Sequence, residues 1–184
     1  MDGTPFGIRL PAMRRAVCPG SFDPVTRGHL DIFERTARLF DDVVVAIGVN
    51  PAKQGLFSPD ERAELIRIAC PVPVRVVTFT GLLVDLCRRE GAVAVVKGVR
   101  GEADVAHELP MAQMNASLSS SEVDTVWLAA DPRWSFVSSS LVREIALLGG
   151  DVAPYLVDEV ARRTVARVAE RAHAGDGVDH GPRR

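Results

Sequence analysis

The sequence predicts an α/β fold: a single doubly wound domain on a five-stranded parallel sheet, with a C-terminal helical extension. Three observations carry that prediction. Short β-branched runs such as 43–47 (VVVAI) and 93–96 (VAVV) have no polar alternation, as expected of strands covered on both faces. Segments with apolar residues at helical spacing separate these runs, which is the pattern of strand–helix–strand units. The stretch 14–40 contains a whole unit of this kind, a strand, a glycine-containing turn and a helix.

Taken in order, the apolar run at 16–18 breaks at Pro19 and Gly20, and a polar turn with Ser21, Asp23, Pro24 and Thr26 follows. The helix beginning at Gly28 and His29 repeats Leu30, Phe33, Ala37 and Phe40 on one side. After the second strand, Ser58, Pro59 and Glu61 form a helix start: an N-cap serine, proline at the first position and a capping-box glutamate. Leu65, Ile68 and Ala69 are expected to be the buried stripe of that helix. A third strand is expected at 74–77, then a short helix over 81–89 with Leu82, Leu83, Leu86 and Cys87 inward. The fourth strand at 93–96 runs into Lys97 and Gly98. A helix over 104–118 should bury Leu109, Ala112 and Ala116, and Pro110 predicts a kink or a shifted boundary. A fifth strand at 123–130, a helix over 141–148 stopped by Gly149 and Gly150, and a last helix over 154–172 complete the order. The last helix should bury Val157, Val160, Ala161, Thr164, Val165, Val168 and Ala169. Residues 1–13 read as a disordered leader, with Met13 an alternative start, 14–172 as the domain, and 173–184 as a disordered tail. The architecture is Rossmann-like.

Composition narrows the function. A chain of 184 residues is long enough for one well-packed core. Its net charge of −2 argues against a nucleic-acid binder. No apolar run reaches the roughly 18 residues needed to span a membrane, and Pro5, Arg9 and Pro11 interrupt any signal-peptide core. Cys18, Cys70 and Cys87 are odd in number and widely spaced, so they read as reduced thiols in a cytoplasmic protein.

Ligands of doubly wound sheets bind beyond the carboxyl ends of the strands. The loops 19–29, 97–101 and 131–140 lie there, and the loop carrying Lys53 makes a fourth. Neither a P-loop nor a G-x-G-x-x-G turn occurs, so phosphate must be held by other donors. Those available are helix N-termini, His29, the serines Ser138, Ser139 and Ser140, and Lys53, Lys97, Arg100 and Arg143. In isolation His29 reads equally as a capping or packed histidine, and the serine run as a plain N-cap. A helix N-terminus disfavours imidazolium, so His29 is expected to be a neutral donor.

Three motifs stand in order: PGSFDPVTRGH at 19–29, KGVR at 97–100 and WSFVSSSLVRE at 134–144. With NPAK at 50–53, they make the chain resemble the bacterial phosphopantetheine adenylyltransferases over about 14–171. These belong to the nucleotidylyltransferase superfamily, whose signature is T/H-x-G-H. The resemblance implies transfer of AMP from ATP to 4′-phosphopantetheine, giving dephospho-CoA and pyrophosphate. It implies catalytic roles for His29, Lys53 and Arg100. It implies ATP contacts at Ser21, Phe22, His29, Gly98, Val99, Arg100, Glu108, Trp134, Ser135, Phe136, Val137, Ser138, Ser139 and Ser140. Pantetheine contacts are implied at Ser21, Lys53, Leu83 and Lys97. Mg2+ is expected with ATP, and no protein metal ligands are assigned. A homohexamer and feedback inhibition by CoA are further implications. The sequence departs from the family at 104–108 (DVAHE), where an aromatic-acidic stretch is usual. The alternative is a related adenylyl- or cytidylyltransferase acting on another phosphorylated substrate, such as nicotinate mononucleotide. A non-catalytic adenylate-binding module is the rival from another class.

Overall fold

The computed structural model describes residues 13–50, 52 and 54–175. Five strands form one parallel sheet: β1 (Arg15–Gly20), β2 (Asp42–Gly48), β3 (Arg75–Phe79), β4 (Ala94–Val99) and β5 (Asp124–Ala129). Their spatial order is β3-β2-β1-β4-β5. The strand order therefore reverses between β1 and β4, and the crevice beyond their carboxyl ends is where such sheets bind ligands.

The helices are α1 (Arg27–Leu39), α2 (Pro59–Ala69), α3 (Leu83–Glu90), α4 (Glu102–Leu118), α5 (Ser139–Leu147) and α6 (Asp158–Gly175), with a 3-10 turn at Ala153–Tyr155. Side chains alternate across the strands, so the two faces have separate cores. Ala16, Cys18, Val43, Val45 and Ile47 pack with Phe33, Leu65, Ile66, Val142 and Val160 of α1, α2, α5 and α6. Val17, Val44, Ala46 and Val95 pack with Leu86 and Cys87 of α3 on the other face. That double cover is why the β2 run shows no alternation.

The α2 start forms as its sequence predicts: Ser58 Oγ accepts from Glu61 N at 3.2 Å, and Glu61 Oε2 accepts from Ser58 N at 2.8 Å. Some buried stripes differ from expectation. Ile68 of α2 is exposed, and Ile66, Ala63 and Arg62 are buried instead. Leu82 precedes α3 and is exposed, its place taken by Val84. On α4 Leu109 is exposed and Asn115 is buried, while the helix continues through Pro110. Val165 and Ala169 lie on the exposed side of α6, beside the buried Thr164 and Val168. In each case helical spacing sets the period, while a segment distant in sequence decides which side of the helix is covered. Helix α6 runs to Gly175, past the expected end at 172. Residues 1–12 of the expected leader and 176–184 of the expected tail lie outside the described residues.

Cys18 and Cys87 are buried and Cys70 is half-buried; all three are free thiols. Burial pushes Cys18 up to about 12 and Cys87 up to about 11, so neither is a ready nucleophile. None of the described helices is long and apolar enough to cross a membrane.

Gly98 lets α1 close onto β4. A Cβ there would lie 2.8 Å from Ile32 Cγ1, and Ile32 is itself buried. Gly98→Ala should therefore cost about 1–3 kcal/mol of stability through overpacking. Urea denaturation measures it, and an unchanged midpoint would show that α1 has room to move.

Candidate active site

The turn between β1 and α1 is organised by one buried carboxylate. Asp23 is 4% exposed. Its Oδ2 accepts from Leu56 N at 2.7 Å and its Oδ1 from Phe57 N at 2.9 Å, which joins the first turn to the segment before α2. Arg62 Nε lies 3.5 Å from Oδ1 and Arg143 Nη1 3.8 Å from Oδ2. Arg143 also donates to the Asp23 carbonyl, and Ser139 Oγ donates to the Pro24 carbonyl at 2.8 Å. The start of α5 is thus tied to the same turn. A buried carboxylate keeps its charge only with such partners.

Phe22, just before Asp23, has φ 47°, a backbone conformation rare for a bulky side chain. Bonds on both sides hold it there. Its ring meets His29 edge-on at 5.1 Å and Phe33 at 5.3 Å, forming the floor beneath the histidine.

His29 occupies the third position of α1 and closes a capping box with Thr26. Its Nδ1 accepts from Thr26 N at 3.0 Å, so the neutral ring carries its proton on Nε2. Desolvation, followed by the positive charge of Arg100, lowers its pKa from 6.5 to about 4. The ring is therefore neutral at physiological pH, as expected, with burial and Arg100 as the causes in place of the helix N-terminus. Gly28 beside it admits the serine loop: a Cβ would lie 3.3 Å from Trp134 Cβ.

The strand-end loops meet around one cavity of about 320 Å³. The first turn contributes Ser21, Phe22 and His29; β4 and the following loop contribute Lys97, Gly98 and Arg100; α4 contributes Glu108; the serine loop contributes Trp134, Val137, Ser138, Ser139 and Ser140. Other predicted residues stand apart from its lining. Val99 is half-buried in β4, Leu83 packs against the second core, Ser135 donates to the Pro132 carbonyl, and Phe136 is exposed with its ring edge-on to Tyr155 at 5.9 Å. Lys53 lies outside the described residues. A second, open cleft of about 1040 Å³ adjoins the cavity and shares Ser21 and Ser140 with it.

The cations of the cavity are paired with acids of α4. Lys97 Nζ lies 3.0 Å from Glu108 Oε1. Arg100 donates to Asp104 from its backbone N at 2.9 Å, Nε at 2.8 Å and Nη2 at 2.9 Å, bonds that raise the arginine pKa and lower the aspartate's. The serine hydroxyls have structural work as well. Ser138 Oγ caps α5 by accepting from Leu141 N, and Ser140 Oγ accepts from Arg143 Nη2. Phosphate oxygens can still take the first-turn N–H groups of Ser139 and Ser140 and the Nε2–H of His29. No group of three or more metal-ligating side chains occurs among the described residues.

Asp23, Thr26, Asp104 and His107 escaped the list of candidate residues. A signal for Asp23 existed: Arg62, four residues after Ser58, falls on the buried side of α2, and a buried guanidinium requires a carboxylate.

Comparison with known proteins gives the family and the fold. Residues 17–145 match the cytidylyltransferase-like family. A phosphopantetheine adenylyltransferase of Nocardioides sp. is 55% identical over 159 residues, covering 85% of this chain and 99% of the relative. The enzyme of that name from Frankia casuarinae is 49% identical over 164 residues, covering 86% of this chain and 100% of the relative. Among solved structures, a bifunctional NMN adenylyltransferase/ADP ribose pyrophosphatase from Francisella tularensis superposes with TM-score 0.59 at 14% identity. The match covers 92% of this chain and 58% of that one, and shows a shared fold.

Asp23→Ala should lower stability by about 3–5 kcal/mol, because it leaves the buried Arg62 without its counter-charge and two backbone N–H groups without their acceptor. Chemical denaturation reads the loss, and a change below about 1 kcal/mol would contradict the role of Asp23. For His29, nitrogen-detected NMR at pH 7 should find a neutral ring protonated on Nε2 that stays neutral until about pH 4. Its folded pKa lies below the unfolded value near 6.5, so the stability it contributes declines as pH falls from about 6.5 to about 4. A ring titrating near 6.5 would contradict the assignment.

Proposed function

We infer that this chain, which belongs to the cytidylyltransferase-like family, transfers the adenylyl group of ATP to 4′-phosphopantetheine, forming dephospho-CoA and pyrophosphate. The structural observation behind the reading is that two adjoining spaces share Ser21 and Ser140, giving two anionic reactants a common boundary. The relatives' names identify the acceptor as phosphopantetheine, and this favours it over nicotinate mononucleotide.

The chemistry needs little covalent help. A phosphate monoester has a second pKa near 6, so the acceptor arrives largely as a dianion and is already a nucleophile. The protein must align it with the α-phosphorus of ATP and offset the charge that develops there. In this reading His29 donates its Nε2–H to the α-phosphate oxygens. Lys97, joined by Lys53, holds the incoming phosphate, and Arg100 with the N–H groups of Ser139 and Ser140 holds the leaving pyrophosphate. Glu108 and Asp104 keep Lys97 and Arg100 neutralised until phosphate displaces them. Gly98, Trp134, Val137 and Ser138 frame the nucleotide; nucleotide contacts by Val99, Ser135 and Phe136 and a pantetheine contact by Leu83, all outside the cavity lining, rest on the family resemblance alone. ATP enters as its Mg2+ complex, in which the ion offsets phosphate charge.

The proposal extends to a cytoplasmic homohexamer inhibited by CoA. Free thiols suit a reducing compartment. Leu109, Met111, Met114 and Leu118 of α4 are exposed large apolar side chains, as subunit contacts require. CoA carries the same pantetheine arm and adenylyl group as the product, so it can compete for the same space.

The test is dephospho-CoA and pyrophosphate formation from MgATP and phosphopantetheine, with no product from nicotinate mononucleotide or from CTP. His29→Ala should reduce kcat on the order of 10²–10³ while ATP binding persists. Near-full turnover by that variant would remove His29 from the mechanism.

A further inference from the structure

The turn that follows β5 carries Trp134, and α1 grips it at two points. Strand β5 lies at the edge of the sheet and pairs with β4 alone, so its end depends on partners outside the sheet. Arg35 Nη1 donates to the carbonyl of Ala129, the last residue of β5, at 2.7 Å. Asp31 Oδ2 holds the same nitrogen at 3.1 Å from one turn earlier on α1. Nearer the start of the helix, Gly28 brings α1 against Trp134. Gly28, Asp31 and Arg35 stand at i, i+3 and i+7, so one face of α1 makes both contacts.

Between those points the chain turns tightly. Trp134 N donates to the Asp131 carbonyl at 2.8 Å, and Val137 N donates to the Trp134 carbonyl at 2.9 Å. Asp131 pairs with Arg133, whose guanidinium lies 5.8 Å from the centroid of the Trp134 ring. Hydrogen bonds from Arg133, followed by the charges of Arg133 and Arg35, hold the Asp131 carboxyl down to about 2. Ala130, Trp134 and Val137 of this turn line the cavity with His29, while Arg35 and Asp31 stand outside the lining. Any effect of Arg35 on the site therefore passes through the turn.

We propose that Arg35, anchored by Asp31, is a positioning residue for the nucleotide: by fixing the end of β5 it sets where Trp134 stands in the cavity that receives ATP. The inference rests on the adenylyltransferase reading and adds the third turn of α1 to the nucleotide side of the site. Lys97, on the acceptor side, is set by β4 and by its pairing with Glu108 of α4, so loss of Arg35 should spare the acceptor. Lysine brings the same charge on a more flexible stem without the planar fork, so it should replace Arg35 in part.

The experiment compares the full-length protein with Arg35→Ala, Arg35→Lys and Arg38→Ala. Arg38 pairs with Glu34 on the solvent side of the same helix and serves as the control. Arg35→Ala removes a charged donor from a backbone carbonyl and should raise KM for ATP about tenfold, leaving KM for phosphopantetheine within about twofold. Arg35→Lys should recover part of that loss, and Arg38→Ala should match the wild type. Hydrogen exchange at the Trp134 and Val137 amides, which requires no turnover, should accelerate at least about fivefold in Arg35→Ala. A KM effect shared equally by both substrates, or no KM effect, overturns the positioning role; unchanged amide exchange overturns the clamp itself. If wild-type protein makes no dephospho-CoA, the adenylyltransferase reading fails, and the exchange measurement still decides the clamp.

Discussion

A single buried charge holds the working end of this sheet together. Asp23 lies where β1 meets α1, and its carboxylate gathers the Leu56 and Phe57 N–H groups and faces Arg62 and Arg143. Elements distant in sequence, namely the first turn, the entry to α2 and the start of α5, therefore have one common acceptor. An ionised carboxylate that loses such partners in a buried setting costs several kcal/mol, so the arrangement is self-enforcing. The same constraint keeps Phe22 at its positive φ and the Phe22 ring beneath His29. The imidazole is thus aimed by packing and by the Thr26 N–H, with no acid in a relay behind it.

That design suits a reaction between two anions. A histidine that stayed protonated would attract phosphate in any orientation, whereas a neutral ring with a fixed Nε2–H is a directional donor. The permanent charge comes from Lys97 and Arg100, each held by a carboxylate of α4. Those ion pairs are partly exposed and individually weak, so phosphate can exchange for them at little cost. The cavity is therefore cationic toward a polyanion without leaving bare charge in the free protein.

Much of this was legible in the sequence because it is local. The capping box at Ser58, Pro59 and Glu61 needs only three residues, and it forms. The unbroken run at 43–47 identified a strand covered on both faces, and loops at successive strand ends must converge in a parallel sheet. Pairings across the fold were not legible. Nothing in the spacing joins Asp23 to Leu56 or Lys97 to Glu108, because each pair crosses between elements whose packing is set by the tertiary structure. The misplaced stripes have the same origin: Ile68, Leu109 and Val165 are apolar and correctly periodic, yet exposed, since helical period fixes an angle and the neighbouring segment fixes which side is inside. On α4 the exposed apolar residues also weaken any amphipathic signal. The reach of Arg35 to the end of β5 depends on a long side chain whose target is a carbonyl and so carries no sequence mark.

The central claim is that the protein holds a neutral His29 against the α-phosphate of ATP, with the acceptor phosphate on the opposite side of the phosphorus. A crystal structure with phosphopantetheine and an ATP analogue blocked between the α- and β-phosphates tests it directly. The account predicts His29 Nε2 within hydrogen-bonding distance of an α-phosphate oxygen and the acceptor oxygen in line with the blocked bond. An α-phosphate bound away from His29, or an acceptor phosphate on the same side as the leaving group, would contradict it.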